Sequence, residues 1–294
     1  MTVEDEDDMD VGTDGDRLVP FLKWAGGKRE QAEAIAAWCT ARLGPSGRFI
    51  EPCLGSGAVA LAMPRGTPMI LGDANEALGY LWWWVQQRPS AVAAIAAQLG
   101  SVKGEGCNTE PGFYEIRRAY NTCKLDPDDP APSARFLWLV HACFNALYRE
   151  NSQGGFNVPW GKRARIVLPT VAALEAISRH LQTAQIFPGW DFADLIAMAQ
   201  PGDVVYVDPP YDADITAFTS YVAKAFDPRE QERLADVIWA AITRGVAVMT
   251  SNADTPRVRK LYDGLVIEAV EEPRSIAASS TARKAAACVR ISTR

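Results

Sequence analysis

The stretch VVYVDPPYD, residues 204–212, is an apolar strand pattern that ends in an acid, two prolines and a tyrosine. The Asp208 carboxylate and the proline carbonyls accept hydrogen bonds, proline has no N–H to donate, and the Tyr211 ring offers a flat face for stacking. This combination suits a planar group with an amine, such as the exocyclic NH2 of a nucleobase. Asp208 and the Pro209 carbonyl would each accept one N–H and direct the nitrogen lone pair out of the ring plane, toward an electrophile. An ordinary turn is the alternative for Asp-Pro-Pro taken alone.

A glycine turn lies upstream in RFIEPCLGSGAVALAM, where Gly55 and Gly57 separate a strand pattern from a helix pattern. Glycine at such a turn lets a ligand approach the backbone at a helix N-terminus. Glu51 precedes the turn and disfavours a pyrophosphate, whereas Asp73, at the end of the next strand pattern, suits the two hydroxyls of a ribose. S-adenosylmethionine, which combines a ribose with an ammonium and a sulfonium, fits both acids. The alternative for Glu51 is a cap of the following turn.

These residues lie at the ends of strand patterns that alternate with helix patterns, which predicts an α/β fold with a parallel, doubly wound sheet. The alternation stops over 78–165, where 134–148 has a helix pattern and 149–165 resembles an exposed hairpin or loop. Near the C-terminus, LVIEAVEE and ACVRIST predict an antiparallel β pair. We therefore predict four segments: a disordered acidic tail over 1–16, the first part of the sheet domain over 17–77, a mostly helical insertion over 78–165 and the second part of the sheet domain over 166–294.

Composition limits the class of protein. The chain has 294 residues, of which 48% are hydrophobic, so a sizeable core is possible. No apolar run reaches membrane-spanning length, and the acidic start fits neither a secretory signal nor a transit peptide, so we expect a cytoplasmic protein. The six cysteines are scattered without a C-x-x-C pair, and only two histidines accompany them. We expect reduced thiols and no metal site.

The net charge of −6 is unevenly distributed along the chain. Residues 1–16 hold eight of the 36 acids and no base, so the rest of the chain has 28 acids and 30 bases. Local basic patches occur at Lys162, Arg163 and Arg165 and along 273–294. Phosphate binding requires patches of this kind, and ordinary solvated faces are the alternative.

Four blocks, FLKWAGGK, FIEPCLGSGAVAL, GDANEAL and VVYVDPPY, resemble in this order the signature blocks of Dam-type DNA adenine-N6 methyltransferases. The segment CFNALYRENSQGGFNVPWGK resembles the target-recognition hairpin of that family, and the resemblance spans roughly residues 20–285. Four ordered blocks make coincidence improbable. The resemblance implies a Rossmann-like sheet of the class I methyltransferases with an inserted target-recognition segment. It also implies S-adenosylmethionine as cofactor and double-stranded DNA as partner, bound by a monomer or a weak dimer.

The resemblance implies a role for each matching residue. The target adenine is held by Asp208, Pro209, Pro210 and Tyr211. The cofactor is bound by residues of the first three blocks and by an Asp-Phe pair: Lys23, Trp24, Gly26, Gly27, Lys28, Glu51, Gly55, Gly57, Asp73, Asp191 and Phe192. The first five of these line its methionine end, and the Asp-Phe pair reads its adenine. The DNA is contacted by Lys23, Phe144, Asn145, Leu147, Arg149 and Pro159.

The DNA contacts divide by their chemistry. Phe144 and Asn145 match the positions that wedge into the base stack and fill the gap left by a flipped base. Leu147, Arg149 and Pro159 match base-reading positions, and an arginine that clamps guanine O6 and N7 adds ~1–3 kcal/mol of discrimination. A core aromatic is the alternative for Phe144, and a phosphate contact is the alternative for Arg149.

The sequence departs from the family pattern in three places. Gln153 stands where a basic residue is often found, the last strand reads ARKAAACVRIST, and the acidic tail has no counterpart. The expected reaction is direct methyl transfer to adenine N6 in duplex DNA after base flipping, with GATC as the expected site. The alternatives are another planar amine, such as cytosine N4, an RNA adenine or a protein amide, or a non-catalytic DNA-binding regulator.

Overall fold

The computed structural model of the chain describes residues 13–14, 17–101, 108–123, 125–163, 165–212, 226–272 and 286–294. The strands are β1 Thr13–Asp14, β2 Arg17–Leu18, β3 Phe49–Glu51, β4 Met69–Asp73, β5 Ala184–Pro188, β6 Val204–Val207, β7 Ala247–Ala253, β8 Val266–Glu272 and β9 Ala286–Ser292. The helices are α1 Ala32–Arg42, α2 Ala58–Ala62, α3 Glu76–Gln87, α4 Pro89–Ser101, α5 Glu110–Thr122, α6 Ala131–Ala142, α7 Val171–His180, α8 Phe192–Ala197, α9 Pro228–Thr243 and α10 Pro256–Leu261. Short 3₁₀ turns span Phe144–Ala146 and Leu181–Thr183.

The main sheet has seven strands in the order β5-β4-β3-β6-β7-β9-β8. The first five are parallel, and β9 runs antiparallel to both β7 and β8. The predicted doubly wound α/β sheet and the predicted antiparallel pair are thus confirmed. From β3 the chain winds outward to β5, then returns to β6 on the other side of β3. Ligands bind at such a switch point, outside the carboxyl ends of the strands.

The central strands are buried on both faces, as is usual in parallel sheets. Phe49 and Tyr206 face a large apolar cluster formed with α1 to α7. Ile50 and Val205, their neighbours in sequence, face a smaller cluster formed with α8, α9 and α10. This alternation fixes the register of the strands, and with it the side chains that emerge at the carboxyl edge.

The predicted insertion shares the large cluster with the sheet. Phe136 and Trp138 of α6 belong to the same cluster as Phe49 of β3. The predicted division between residues 77 and 78 falls inside α3, which begins near Asn75 as expected, with the Asn75 side chain accepting from Leu78 N–H. A target-recognition role for 78–165 therefore remains a proposal about function, because these helices have no separate core.

The predicted helix over 134–148 is confirmed up to Ala142, where α6 ends, and is wrong beyond that residue. Asn145 and Ala146 have φ angles of 54° and 50°. The helix has already ended at Cys143, whose backbone is extended with φ −78° and ψ 168°, and the left-handed values keep a right-handed helix from resuming. The break turns the chain outward into the predicted exposed segment.

That segment closes on itself as a hairpin-like loop, in agreement with the prediction for 149–165. Gly161 donates its N–H to the Ala142 carbonyl at 2.9 Å, and a Cβ at Gly161 would lie 2.6 Å from the Cys143 carbonyl oxygen. The loop thus returns to the end of α6 through a contact that only glycine allows. Two isolated bridges complete it, Cys143 with Trp160 and Glu150 with Phe156.

Within the predicted acidic tail, Thr13–Asp14 pairs with Arg17–Leu18. The rest of that tail and most of the predicted C-terminal basic patch, with Arg274, Arg283 and Lys284, lie outside the described residues. None of the described helices is long and apolar enough to cross a membrane. Within the same residues, no group of three His, Cys, Asp or Glu side chains could hold a metal ion.

Candidate active site

Four acidic residues stand in a row at the carboxyl edge of the sheet. Asp191 follows β5, Asp73 ends β4, Glu51 ends β3 and Asp208 follows β6, and these strands are neighbours in this order. Glu51 and Asp208 flank the switch point itself. The parallel topology therefore brings together residues from separate sequence blocks at the place where a ligand would bind.

Lys28 joins the first block to the DPPY turn. Its ammonium donates to Asp208 Oδ2 and to the Gly26 carbonyl, both at 2.8 Å. The same nitrogen lies 5.0 Å from the centre of the Tyr211 ring, within cation–π range. The side chains are only 5% exposed for Lys28 and 17% exposed for Asp208. Sequence reasoning assigned Lys28 to the cofactor and missed this ion pair.

Glu51 is buried between α2 and the switch point. Its Oε2 accepts the Ala60 N–H at 3.0 Å, so the alternative that it caps the turn into α2 is part of the structure. Burial raises the pKa of Glu51 well above its usual range, and the neighbouring Asp208 carboxylate raises it further. A positive group bound here would stabilise the ionised form. The site is therefore suited to an ammonium or a sulfonium.

Asp73 accepts two backbone N–H groups, from Gly55 at its Oδ2 and from Asn75 at its Oδ1, each at 2.9 Å. Burial raises the pKa of Asp73 to about 6, although both hydrogen bonds act in the opposite direction. Each carboxylate oxygen has a further lone pair, so two hydroxyls could still donate to it. This chemistry fits the ribose diol expected from the sequence.

The glycine turn is shaped by a tryptophan that sequence reasoning missed. Gly55 and Gly57 have φ angles of 50° and 67°. A Cβ on Gly57 would lie 2.5 Å from the Trp82 ring, so packing explains this glycine, where the sequence suggested ligand approach. Trp82 Nε1 donates to the Gly55 carbonyl at 3.0 Å. The helix α3 contains three consecutive tryptophans, and the sequence does not indicate which of them packs against the glycine turn.

The first block lies directly on this turn. A Cβ on Gly27 would lie 3.2 Å from Ser56 Oγ, and one on Gly55 would lie 3.3 Å from the Trp24 ring. Trp24 also stacks on Tyr148, with ring centroids 5.2 Å apart. Trp24 therefore connects the glycine turn to the hairpin-like loop.

The sequences of known proteins match this chain over most of its length. The profile of the D12 class N6 adenine-specific DNA methyltransferases matches residues 24–276. The chain belongs to this family. The resemblance inferred from the four sequence blocks is thereby confirmed, and with it the assignment of the chain as an adenine-specific DNA methyltransferase.

Curated relatives agree with the family assignment. A type II methyltransferase of Lactococcus lactis subsp. cremoris is 30% identical over 270 residues, which cover 90% of this chain and 92% of that protein. A DNA adenine methylase of Salmonella typhi is 33% identical over 269 residues, which cover 90% of this chain and 91% of that protein. A DNA N-6-adenine-methyltransferase of Escherichia phage P1 is 33% identical over 268 residues, or 90% of this chain but 34% of that longer protein.

In this methyltransferase, an arginine holds the pair predicted to read the cofactor adenine. Arg233 of α9 donates to both Asp191 oxygens, at 2.8 and 2.7 Å, and lies 4.0 Å from the centre of the Phe192 ring. Phe192 is buried in the smaller apolar cluster, whereas the Asp191 side chain is 44% exposed. A ligand could therefore contact the backbone of Asp191 and Phe192 and the carboxylate of Asp191. Arg233 is one of several charges on an amphipathic helix, and no sequence signal singles it out.

The predicted wedge residues are exposed where the left-handed break follows α6. Phe144 is 45% exposed, which excludes the alternative that it is a core aromatic. Asn145 beside it is exposed as well. The Phe144 N–H donates to the Pro159 carbonyl at 2.9 Å, so two of the predicted DNA-contacting residues are joined through the backbone.

The other predicted DNA-contacting residues of this methyltransferase differ in exposure. The Arg149 guanidinium is exposed and donates to the Asn157 carbonyl at 2.7 Å, which holds it along the loop. Leu147 is half-buried against the large cluster, and Lys23 is also half-buried. Gln153 is exposed near the tip of the loop. The choice between a base contact and a phosphate contact for Arg149 stays open to experiment.

Proposed function

We propose that this methyltransferase transfers a methyl group from S-adenosylmethionine to the N6 amine of adenine in duplex DNA, within GATC. The observation that carries the proposal is the position of the Asp208 carboxylate, beside Glu51 at the switch point and held by Lys28. An acceptor for the target amine then lies next to a buried acid that favours a cation. Such an arrangement suits direct transfer between two ligands bound side by side.

The cofactor part of the proposal rests on the chemistry of the acids. Glu51, with its pKa raised by burial, is stabilised by a neighbouring positive charge. Asp73 can accept from a ribose, and the exposed carboxylate of Asp191 can accept from the adenine amine. When bound, S-adenosylmethionine supplies a methyl group activated by its positively charged sulfur.

The residues of the DPPY turn act by orientation. Asp208 and the Pro209 carbonyl accept the two N–H bonds of the amine, so its lone pair points out of the ring plane. Pro210 fixes the shape of the turn, and the Tyr211 ring stacks on the base. Orientation of this kind contributes up to about 7–11 kcal/mol to lowering a barrier, without any covalent intermediate on the enzyme.

The DNA part of the proposal rests on Phe144, Asn145 and Arg149, which are exposed, and on Leu147 and Lys23, which are half-buried. Phe144 and Asn145 would occupy the gap that the flipped adenine leaves. Arg149, Leu147 and Lys23 would read bases, which is the basis for GATC as the target. We further propose that 78–165 acts as the target-recognition segment and that the enzyme works in the cytoplasm, as a monomer or a weak dimer on DNA.

The test is to incubate the purified protein with S-adenosylmethionine and unmethylated genomic DNA, and then to map modified bases by long-read sequencing. Asp208→Ala protein serves as the matched control for contaminating activity. Methyladenine confined to GATC supports the whole proposal. Methyladenine in another short motif overturns the assignment of the base-reading residues alone. Cofactor and DNA binding without any modified base overturns the proposed reaction and favours a non-catalytic regulator.

A further inference from the structure

A directed pair of hydrogen bonds runs behind the DPPY turn. Asn252 of β7 donates its Nδ2 to Gln231 Oε1 at 2.9 Å, and Gln231 of α9 donates its Nε2 to the Pro210 carbonyl at 2.9 Å. Both amides are buried, with exposures of 0% for Asn252 and 1% for Gln231. Neither residue belongs to a sequence block that suggested chemistry.

The main chain determines the direction of this relay. Asn252 Oδ1 accepts the N–H groups of Asp212, at 2.9 Å, and of Ala253, at 2.8 Å. An amide oxygen and nitrogen are distinguished by their partners, so these two donors require the oxygen on their side and the NH2 toward Gln231. Gln231 must then offer its oxygen to Asn252 and its NH2 to Pro210. A flip of either amide would place donor against donor or acceptor against acceptor.

The relay also meets a second anchor of the turn. The Asp212 carboxylate, one residue beyond Tyr211, accepts from Thr255 Oγ1 at 2.6 Å and from Arg257 at 2.5 Å. The Asp212 N–H and the Pro210 carbonyl are thus both held from behind by Asn252 and Gln231. Tyr211 lies between these two fixed peptide groups.

We propose that Gln231 and Asn252 are positioning residues for methyl transfer, and that they select which carbonyl of the turn receives the target amine. The Pro210 carbonyl is engaged by Gln231 and turned toward the protein. Within the described part of the chain, no donor reaches the Pro209 carbonyl. The relay therefore leaves Asp208 and Pro209 as the acceptor pair for the amine. This inference rests on the proposed function.

The two buried amides also contribute to the stability of the fold, because they satisfy the Asp212 and Ala253 N–H groups and the Pro210 carbonyl. Buried polar groups cost free energy unless they are satisfied, so apolar replacements would leave these main-chain groups without partners. A comparison with a buried amide elsewhere in the chain separates this structural purpose from positioning. Gln86 is such an amide, since it donates to the Leu181 and Ala184 carbonyls at 2.6 and 2.7 Å, at the opposite end of β5.

The decisive variant is Gln231→Glu, because its hydrogen bond to Pro210 depends on protonation. A protonated Glu at 231 keeps an oxygen toward Asn252 and donates its O–H to the Pro210 carbonyl. An ionised one presents only acceptors to that carbonyl. At low pH, the kcat of Gln231→Glu should approach that of the unmodified enzyme. As the introduced carboxyl ionises, the kcat of the variant should fall by on the order of 100-fold relative to the unmodified enzyme. The KM values for cofactor and DNA should change little.

Two further variants complete the design. Gln231→Met lacks a donor at every pH and should show the reduced kcat throughout, with no pH-dependent recovery. Gln86→Met should lower the melting temperature to a similar extent and leave kcat unchanged. Melting temperature, cofactor affinity and DNA affinity are measured for each variant, so that a folding defect is recognised apart from activity.

A Gln231→Glu profile parallel to that of the unmodified enzyme would overturn the inference, as would a kcat loss in Gln231→Met no larger than that in Gln86→Met. A rise in KM with unchanged kcat would also overturn it, because the relay would then serve binding alone. Failure of the unmodified enzyme to methylate adenine in any DNA is a different result. It would refute the proposed function itself.

Discussion

The buried ion pair between Lys28 and Asp208 allows a prediction in which stability and activity separate. Asp208→Ala removes the carboxylate that pairs at 2.8 Å with the Lys28 ammonium, which is only 5% exposed. Loss of one member of a buried pair costs about 3–5 kcal/mol of the free energy of unfolding. For a chain of this size that lowers the melting temperature by on the order of 10 °C. The same variant loses an acceptor for the target amine, so kcat should fall by on the order of 100-fold or more.

The double variant Lys28→Met with Asp208→Ala removes both charges and replaces the lysine stem with an apolar one. Most of the lost melting temperature should return, because neither member of the ion pair is then buried without the other. Activity should stay lost, because the acceptor is still missing.

The assay pairs thermal unfolding, followed by circular dichroism, with transfer of tritiated methyl groups to duplex DNA. The single variant Lys28→Met completes the cycle and measures the coupling between the two side chains. A double variant as unstable as Asp208→Ala would refute the ion-pair reasoning. Full transfer activity in Asp208→Ala would refute the proposed role of that carboxylate.

Three further predictions concern the cofactor and the DNA. Burial raises the pKa of Asp73 to about 6, so a cationic cofactor that needs the ionised form should release a proton on binding. Its affinity should fall about tenfold for each pH unit below that pKa. Equal affinity at pH 5 and pH 7, measured by calorimetry, would contradict this prediction. Phe144→Ala should reduce the fluorescence increase of 2-aminopurine at the target position without changing cofactor affinity, and an unchanged signal would exclude the wedge. Arg149→Ala should relax sequence preference at one base pair in a methylation assay; a uniform loss across sequences, with a salt slope smaller by about one, would identify a phosphate contact instead.

The elements that position the site could be predicted because their signals are local. Strand patterns that end in Glu51, Asp73 and Asp208, each beside a turn and a helix pattern, predict a parallel sheet with those acids at its carboxyl edge. The C-terminal antiparallel pair could also be predicted, from apolar runs such as those of β8 and β9.

What the sequence could not predict is where long-range partners meet. The helix α6 ends at the extended backbone of Cys143, although the apolar sequence pattern continues beyond that residue. Gly57 owes its place to the Trp82 ring, one of three adjacent indoles. Gln231 and Arg233 lie in an ordinary amphipathic helix, and their partners become visible only when that helix is docked on the sheet.

The stack of Trp24 on Tyr148 limits how the sequence specificity of this enzyme could be redesigned. One ring lies on the glycine turn and the other at the base of the hairpin-like loop, so a graft that replaces the loop together with Tyr148 also removes the stacking partner of Trp24. A chimera that keeps Tyr148 and exchanges only 149–159 would preserve that stack. Loops taken from relatives should therefore either begin after Tyr148 or bring an aromatic residue at its position.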